Sequence, residues 1–495
     1  MPMVGSVAVI CQARLKYLNV DSMNILSGLT LTPFEWTMSN EFAGSAMEFV
    51  IRLCCTGPID VERFNEAVVI ALKHQPLLQA NAEIGPTHST SYWRTASDPA
   101  PVIKWLDGDP TLGRGVTDGF QPIELDKEIG FRLYGWQHQI DGQPQTEIRF
   151  VFHHACCDGK GGVSFIEHVL CQYRLLKEGN CDAMPRFDVN RIEDRDKRAS
   201  HSFGIADSIW RMFVVRPKRV ANMLLTHPLS LVAATKTVGE ESVDPPRQCS
   251  TTLDLVTTEQ LGAIANSLGA TTNLILAREL FHVLVEHLKN GEASVSGSRG
   301  GNLLRLLIPF SLRNEMHHMM PAANCVSMAY LETKQDLLVQ DRAENSVVLP
   351  DLVKQFDFIR KWRLQYSWIE SIKSYARIWP LIRPFKRSQK NKGSDRRQVA
   401  TTVLSNLGRV FGSELLPTSD GKIKIGELEI ETVHLVLPCP AKLKINFTVN
   451  FYSNRLTLDV SYLPSAVARE TAQKLLDSWR NRVVAVVQRQ SSRSR

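Results

Sequence analysis

The sequence predicts a mixed α/β fold in two domains, and three observations predict it. The chain has 495 residues, more than one hydrophobic core usually supports, so two domains of roughly 200 residues are expected. Stretches with the two-residue hydrophobic period of a strand alternate with stretches at the helical period of about 3.6, the pattern of mixed sheets covered by helices. From 186 to 249 the chain turns polar, then basic and helical. That divides it into an N-terminal unit at 1–185, a connection at 186–249 and a C-terminal unit at 250–495. A cleft between two such units is a natural ligand site.

Taken in order, Ala46 to Leu53 reads as a strand and Gly57-Pro58 turns the chain. Asp60 then caps a helix in which Val61, Phe64, Ala67, Val68, Ala71 and Leu72 recur at helical spacing, and His74-Gln75-Pro76 stops it. Ile123 to Trp136 is a loop feeding a strand. Glu147 to His154 alternates as a strand does, so Phe150, Phe152 and His154 share one face and Val151 and His153 the other. After a glycine-rich turn, Ser164 and Glu167 stand at capping-box spacing, and Ile166, Val169, Leu170 and Tyr173 form an apolar helical stripe.

The second unit opens near Ser250. It holds a helix at Asn273–Leu288, a Gly/Ser-rich loop at Gly291–Gly301, a strand at Leu303–Phe310 and a long helical region at Asp351–Tyr375. Strands follow at Gln398–Leu404, Val433–Leu437, Leu443–Tyr452 and Arg455–Tyr462, the last two joined as a hairpin across Ser453-Asn454. A helix at Ser465–Val487 closes the chain.

Composition excludes several classes. Hydrophobic residues make up 43% and charged residues 22%, which is far from the signature of disorder. The net charge of +7 is modest and mixed in sign along the chain, so no nucleic-acid footprint is expected. Two basic stretches, Arg186–Arg219 and Lys354–Arg397, read as solvated faces or, more sharply, as a docking surface for a phosphate-bearing donor or an acidic carrier protein. The 10 cysteines lack the spacing of a secreted disulfide framework and predict reduced thiols in the cytoplasm. No run reaches the ~18 to 20 apolar residues that span a bilayer, so any membrane contact is expected to be peripheral, for instance through Arg377–Arg383.

The densest chemistry is His153-His154-Ala155-Cys156-Cys157-Asp158-Gly159 at a strand end. A neutral imidazole can accept a proton from a hydroxyl or amine at cellular pH, and strand alternation lets only one of the two histidines face a given cavity. Asp158 can orient the loop or pair with an arginine from the other unit, and Gly159 permits backbone angles closed to other residues. Cys156 or Cys157 beside a histidine is the thiol-nucleophile alternative. Zinc is not expected, because His153, His154, Cys156 and Cys157 crowd too closely for a tetrahedral site.

The heptapeptide resembles the HHxxxDG signature of nonribosomal peptide synthetase condensation domains and of related enzymes in the CoA-dependent acyltransferase superfamily, wax ester synthases and alcohol acyltransferases included. His74-Gln75-Pro76-Leu77-Leu78, Ile308-Pro309-Phe310-Ser311-Leu312-Arg313 and Ser405-Asn406-Leu407-Gly408 extend the resemblance over most of the chain. It implies two chloramphenicol acetyltransferase-like domains forming a V, with a channel running to the histidine from both sides. It also implies His154 as general base, with His153 and Gly159 as motif support and Asp158 in a salt bridge to Arg313. Ser405 and Asn406 would line the channel.

The substrates implied are an acyl-CoA or a phosphopantetheine-linked acyl donor and an alcohol or amine acceptor, with an acyl carrier protein as a possible partner. No permanently bound cofactor, no metal and a monomeric chain are expected. The DFGWG sequence of plant acyltransferases is lacking, as is the Asn-Asp pair of wax ester synthases at Thr271-Thr272-Asn273-Leu274. No carrier domain is expected after the last helix, and that expectation sets a CoA donor and alcohol acceptor ahead of amide-forming condensation on carrier proteins. A catalytically silent binding module is the third expectation.

Overall fold

In a computed structural model, the described residues are 25–40, 47–108, 121–181, 183–197, 205–215, 217–218, 221–222, 226–232, 245–289, 302–341, 346–367, 369, 399–440 and 443–493. The expected loop at Gly291–Gly301 and the basic segments past 369 lie outside them. Two mixed sheets organise the rest.

Sheet I contains β1 (Glu48–Thr56), β2 (Val102–Leu106), β3 (Phe131–Ile140), β4 (Gln143–His153), β9 (Thr418–Ser419), β10 (Lys422–Ile425) and β11 (Leu428–Val436), in the order β9-β10-β11-β1-β4-β3-β2. Sheet II contains β5 (Arg247–Thr252), β6 (Leu303–Ser311), β7 (Val326–Lys334), β8 (Thr402–Arg409), β12 (Ile445–Tyr452) and β13 (Arg455–Tyr462), in the order β5-β13-β12-β8-β6-β7. The hairpin of β12 and β13 turns at Ser453 and Asn454, both at positive φ, as the sequence predicts. β9 to β11 come from beyond residue 250 and complete the sheet that holds β1 to β4, β11 pairing antiparallel with β1.

One face of sheet I carries Phe49, Ile51, Leu53, Phe150 and Phe152 onto α1 (Val61–Leu72) and α2 (Gly159–Glu178), which return Phe64, Val68, Phe165 and Val169 to the same core. Asp60 caps α1 as expected, its Oδ1 accepting from the Arg63 amide at 3.1 Å. Sheet II buries Leu304, Leu404, Phe447 and Leu458 under α4 (Thr272–Lys289) and α6 (Arg469–Arg493), with α3 (Leu255–Ser267) and α5 (Val348–Lys361) beside them. The Trp479 indole of α6 donates to the Leu276 carbonyl of α4 at 3.1 Å.

The connection is more than a solvated basic face. Arg195 is buried and pairs with Glu35 at 2.7 Å, which ties the segment to the N-terminal unit. A guanidinium removed from water is tolerated there because its donors are met by Glu35, Ile192 and Thr30.

Candidate active site

Strand β4 delivers the histidine pair to its place. It ends at His153, one residue earlier than the sequence predicts, where the His153 amide donates to the Gly130 carbonyl and the His154 amide to Met47, each at 3.0 Å. His153 is buried, and burial pushes its imidazole down to about 3. Neutral throughout the physiological range, it accepts from the Ala155 amide at 3.2 Å and serves the turn.

His154 is placed differently. The residue is partly exposed, and its ring packs edge-on against Phe49, with centroids 5.2 Å apart. Burial of the ring lowers its pKa, only partly offset by its own carbonyl, by Asp158 and by the Cys157 carbonyl, so the imidazole is neutral near pH 7. The Asn324 side chain donates to the His154 carbonyl at 2.5 Å and lies 3.4 Å from Nδ1.

Asp158 fixes the loop. One oxygen accepts from the Gly161 amide at 2.8 Å; the other accepts from Arg313 at 2.5 Å and from the Cys325 amide at 2.8 Å. Burial would raise this carboxyl, but Arg313 and the two amides hold it below the usual aspartate range. Arg313 also donates to the Ala323 carbonyl at 2.9 Å, so one guanidinium joins the loop before α2 to the segment before β7. The salt bridge implied by the motif is formed.

Two local expectations are corrected. Asp158 caps α2, which begins at Gly159, whereas the Glu167 carboxylate goes to Ser413 rather than back to Ser164. Gly159 is an ordinary helical residue with no positive φ; a Cβ on it would lie 2.8 Å from Leu407. At Gly161 a Cβ would lie 2.9 Å from the Cys157 sulfur and 3.1 Å from Arg313. At Gly161 close approach, which includes the Ala323 backbone at 3.2 Å, leaves no space for a side chain, whereas at Gly159 the neighbour is the movable end of Leu407.

Ser405 and Asn406 lie on β8 beside β12, and Asn406 Oδ1 accepts from the Gly408 amide at 2.7 Å. Neither is bonded to His154; their neighbour Leu407 is what meets the α2 terminus. Cys156 and Cys157 are fully buried with thiols pushed well above the usual range, which disposes of the thiol-nucleophile alternative at this loop. The sequence reading missed Asn324. Its only signal was a polar residue amid Pro321-Ala-Ala and Cys325, too common to single out.

Over 92% of this chain and 94% of the other, the structure matches TRI3, the trichothecene 15-O-acetyltransferase from Fusarium sporotrichioides, with TM-score 0.65 and 11% identity. The chain has the acyltransferase and condensation-domain fold. The first condensation domain of the CDA synthetase matches 93% of this chain and 95% of its own, at TM-score 0.58 and 13% identity. A mutant starter condensation domain of rhizomide synthetase, solved with C8-CoA, matches 93% and 94%, at 0.61 and 14%. No family profile matches the sequence. No curated protein matches it either.

Proposed function

We propose that this chain is an acyltransferase that moves an acyl group from a thioester, acyl-CoA by preference, to an alcohol or amine, with His154 as general base. The observation that carries this reading is His154, a partly exposed residue at the end of β4, beside a loop that the Asp158–Arg313 ion pair holds in place. A neutral imidazole keeps one unprotonated ring nitrogen, and that nitrogen takes the proton from the attacking acceptor. The acceptor oxygen or nitrogen bonds to the thioester carbonyl, and the thiolate leaving group is protonated by the imidazolium. No covalent enzyme intermediate is needed. Asn324 holds the histidine backbone in register for both transfers.

In this reading the two units form a V whose channel reaches His154 from both sides, donor entering one face and acceptor the other, with Ser405 and Asn406 along it. The neighbours support acyl transfer in general: one is named an acetyltransferase and one was solved with an acyl-CoA. The condensation-domain neighbours favour a second reading, amide formation on carrier-protein thioesters. The free cysteines fit a reducing cytoplasmic compartment.

Incubation with acyl-CoA or an acylated carrier protein, mixed alcohols and amines, and mass spectrometry of products separates these readings. Turnover with CoA supports the first and turnover only with carrier the second; none with either points to a silent binding module. His154→Ala is expected to lower turnover by about 100- to 10,000-fold with an unchanged unfolding midpoint. A variant of wild-type rate would remove His154 from the mechanism.

A further inference from the structure

Two basic stretches far apart in sequence meet in the fold. The first holds a short helix, Ile205–Trp210, that runs on through a π turn at Arg211–Val215. Arg211 Nε donates to the Trp362 carbonyl at 2.8 Å and Nη2 to the Arg363 carbonyl at 3.4 Å. Those carbonyls follow the C-terminal end of α5, where a helix favours positive charge. Val215, four residues on from Arg211, is buried in the core of sheet II. One side of the short helix is thereby attached.

The other side is bare. Ile209 and Phe213 stand four residues apart with Trp210 beside them, and the three are 54%, 66% and 54% exposed in that order. Phe213 is the most exposed large apolar side chain among the described residues. Phe358, on the last turn of α5, is also exposed, its ring centroid 6.4 Å from that of Trp362. Large apolar side chains grouped in this way mark an interaction site. Charge indicates what covers them. From Ser208 to Gly239 the sequence holds Arg211, Arg216, Lys218, Arg219 and Lys236 and no acidic residue. From Lys354 to Arg363 it holds Lys354, Arg360, Lys361 and Arg363 against Asp357 alone. Lys218, Arg360 and Lys361 are exposed.

We infer that this face, Ile209, Trp210, Phe213 and Phe358 with the basic residues around them, docks the chain on the surface of an anionic lipid bilayer. Aromatic rings flanked by arginine and lysine suit the headgroup layer, where the rings reach the acyl chains and the cations meet lipid phosphates. No single helix among the described residues is long and apolar enough to cross a bilayer, so the contact is with the surface. Each basic residue close to such a surface adds about fivefold to binding, and burial of one large apolar side chain about tenfold or more. Docking requires no turnover, so it stands or falls apart from His154.

The test is flotation of the full chain with vesicles of phosphatidylcholine alone or mixed with an equal part of phosphatidylglycerol. Binding is expected to be about tenfold or more tighter to the mixed vesicles, to weaken as salt rises, and to shift tryptophan emission to the blue. Trp210→Ser combined with Phe213→Ser is expected to weaken it by about tenfold or more, and Lys218→Gln combined with Lys361→Gln by about 25-fold. Should a variant fail to fold, the lipid preference and salt dependence of the unaltered chain still decide. Equal binding to both vesicles, binding that the serine pair leaves unchanged, or no binding overturns the inference. Self-association that the serine pair abolishes, without vesicle binding, overturns it too and assigns the face to a second copy of the chain.

Discussion

At the terminus of α2 the two sheets are joined through one carboxylate, Asp158, which gathers Arg313 and the amides of Gly161 and Cys325. Along residues 433–437 they are joined by many weaker bonds. Asn450 donates to the Val433 carbonyl at 3.0 Å and Thr448 to Leu435 at 3.1 Å. Asp459 accepts from the Leu435 amide at 3.3 Å and Ser461 from Leu437 at 2.9 Å. The first contact concentrates its energy in a buried charge and holds a loop rigid. The second spreads it over several side chains that satisfy the otherwise open edge of β11, with one ion pair among them, His434 Nδ1 3.0 Å from Asp459 Oδ1.

That contrast is broken most directly at Asp158. Asp158→Ala leaves Arg313 without its counter-charge and should cost about 3–5 kcal/mol in urea unfolding. A loss no larger than that of a neutral change at 433–437 would erase the distinction.

The two contacts should also answer pH in opposite directions. The Asp158 carboxyl is depressed, so its contribution is full above about 3.9 and is lost as pH falls through the lower folded value. Burial lowers His434, but Asp459 raises it to about 9, so the His434–Asp459 pair contributes fully below about 6.5 and fades as pH rises toward 9. Each unit of that rise is worth about 1.4 kcal/mol. The Cys54 thiol on the neighbouring strand β1 ionises with the opposite sign, so the measurement belongs in a Cys54→Ser background. Unfolding free energy there should decline between neutral and alkaline pH, and His434→Gln should flatten the decline.

Smaller effects sharpen the comparison. Gly161→Ala pushes a methyl against Cys157 and Arg313 and should lower stability by about 1–3 kcal/mol, with matching loss of activity as the loop shifts. Asn450→Ala should cost about 1 kcal/mol in the same assay and leave turnover unchanged, since it removes one hydrogen bond of many.

Elements with strong periodicity were legible in the sequence: α1 with its Asp60 cap, α4, and the hairpin of β12 and β13 all form where their patterns place them. Others were not. α3 is weakly amphipathic and lacks a clear apolar stripe, while β7 alternates but sits close after the Met319-Met320-Pro321 turn, which masks its start. The start of α2 was not legible: the Ser164 and Glu167 spacing places a cap too late, whereas the helix begins at Gly159 because Asp158 caps it through the Gly161 amide.

By itself the sequence determined the alternation of strands and helices, the position of the histidine pair at a strand end and the Asp158 motif, because these depend on residues close along the chain. Only tertiary structure decided that β11 crosses into sheet I, that Asn324 meets His154, and that Cys54 and Cys55 lie in opposite electrostatic surroundings. Those outcomes rest on burial and on charges brought from strands hundreds of residues away, and local pattern carries no record of either.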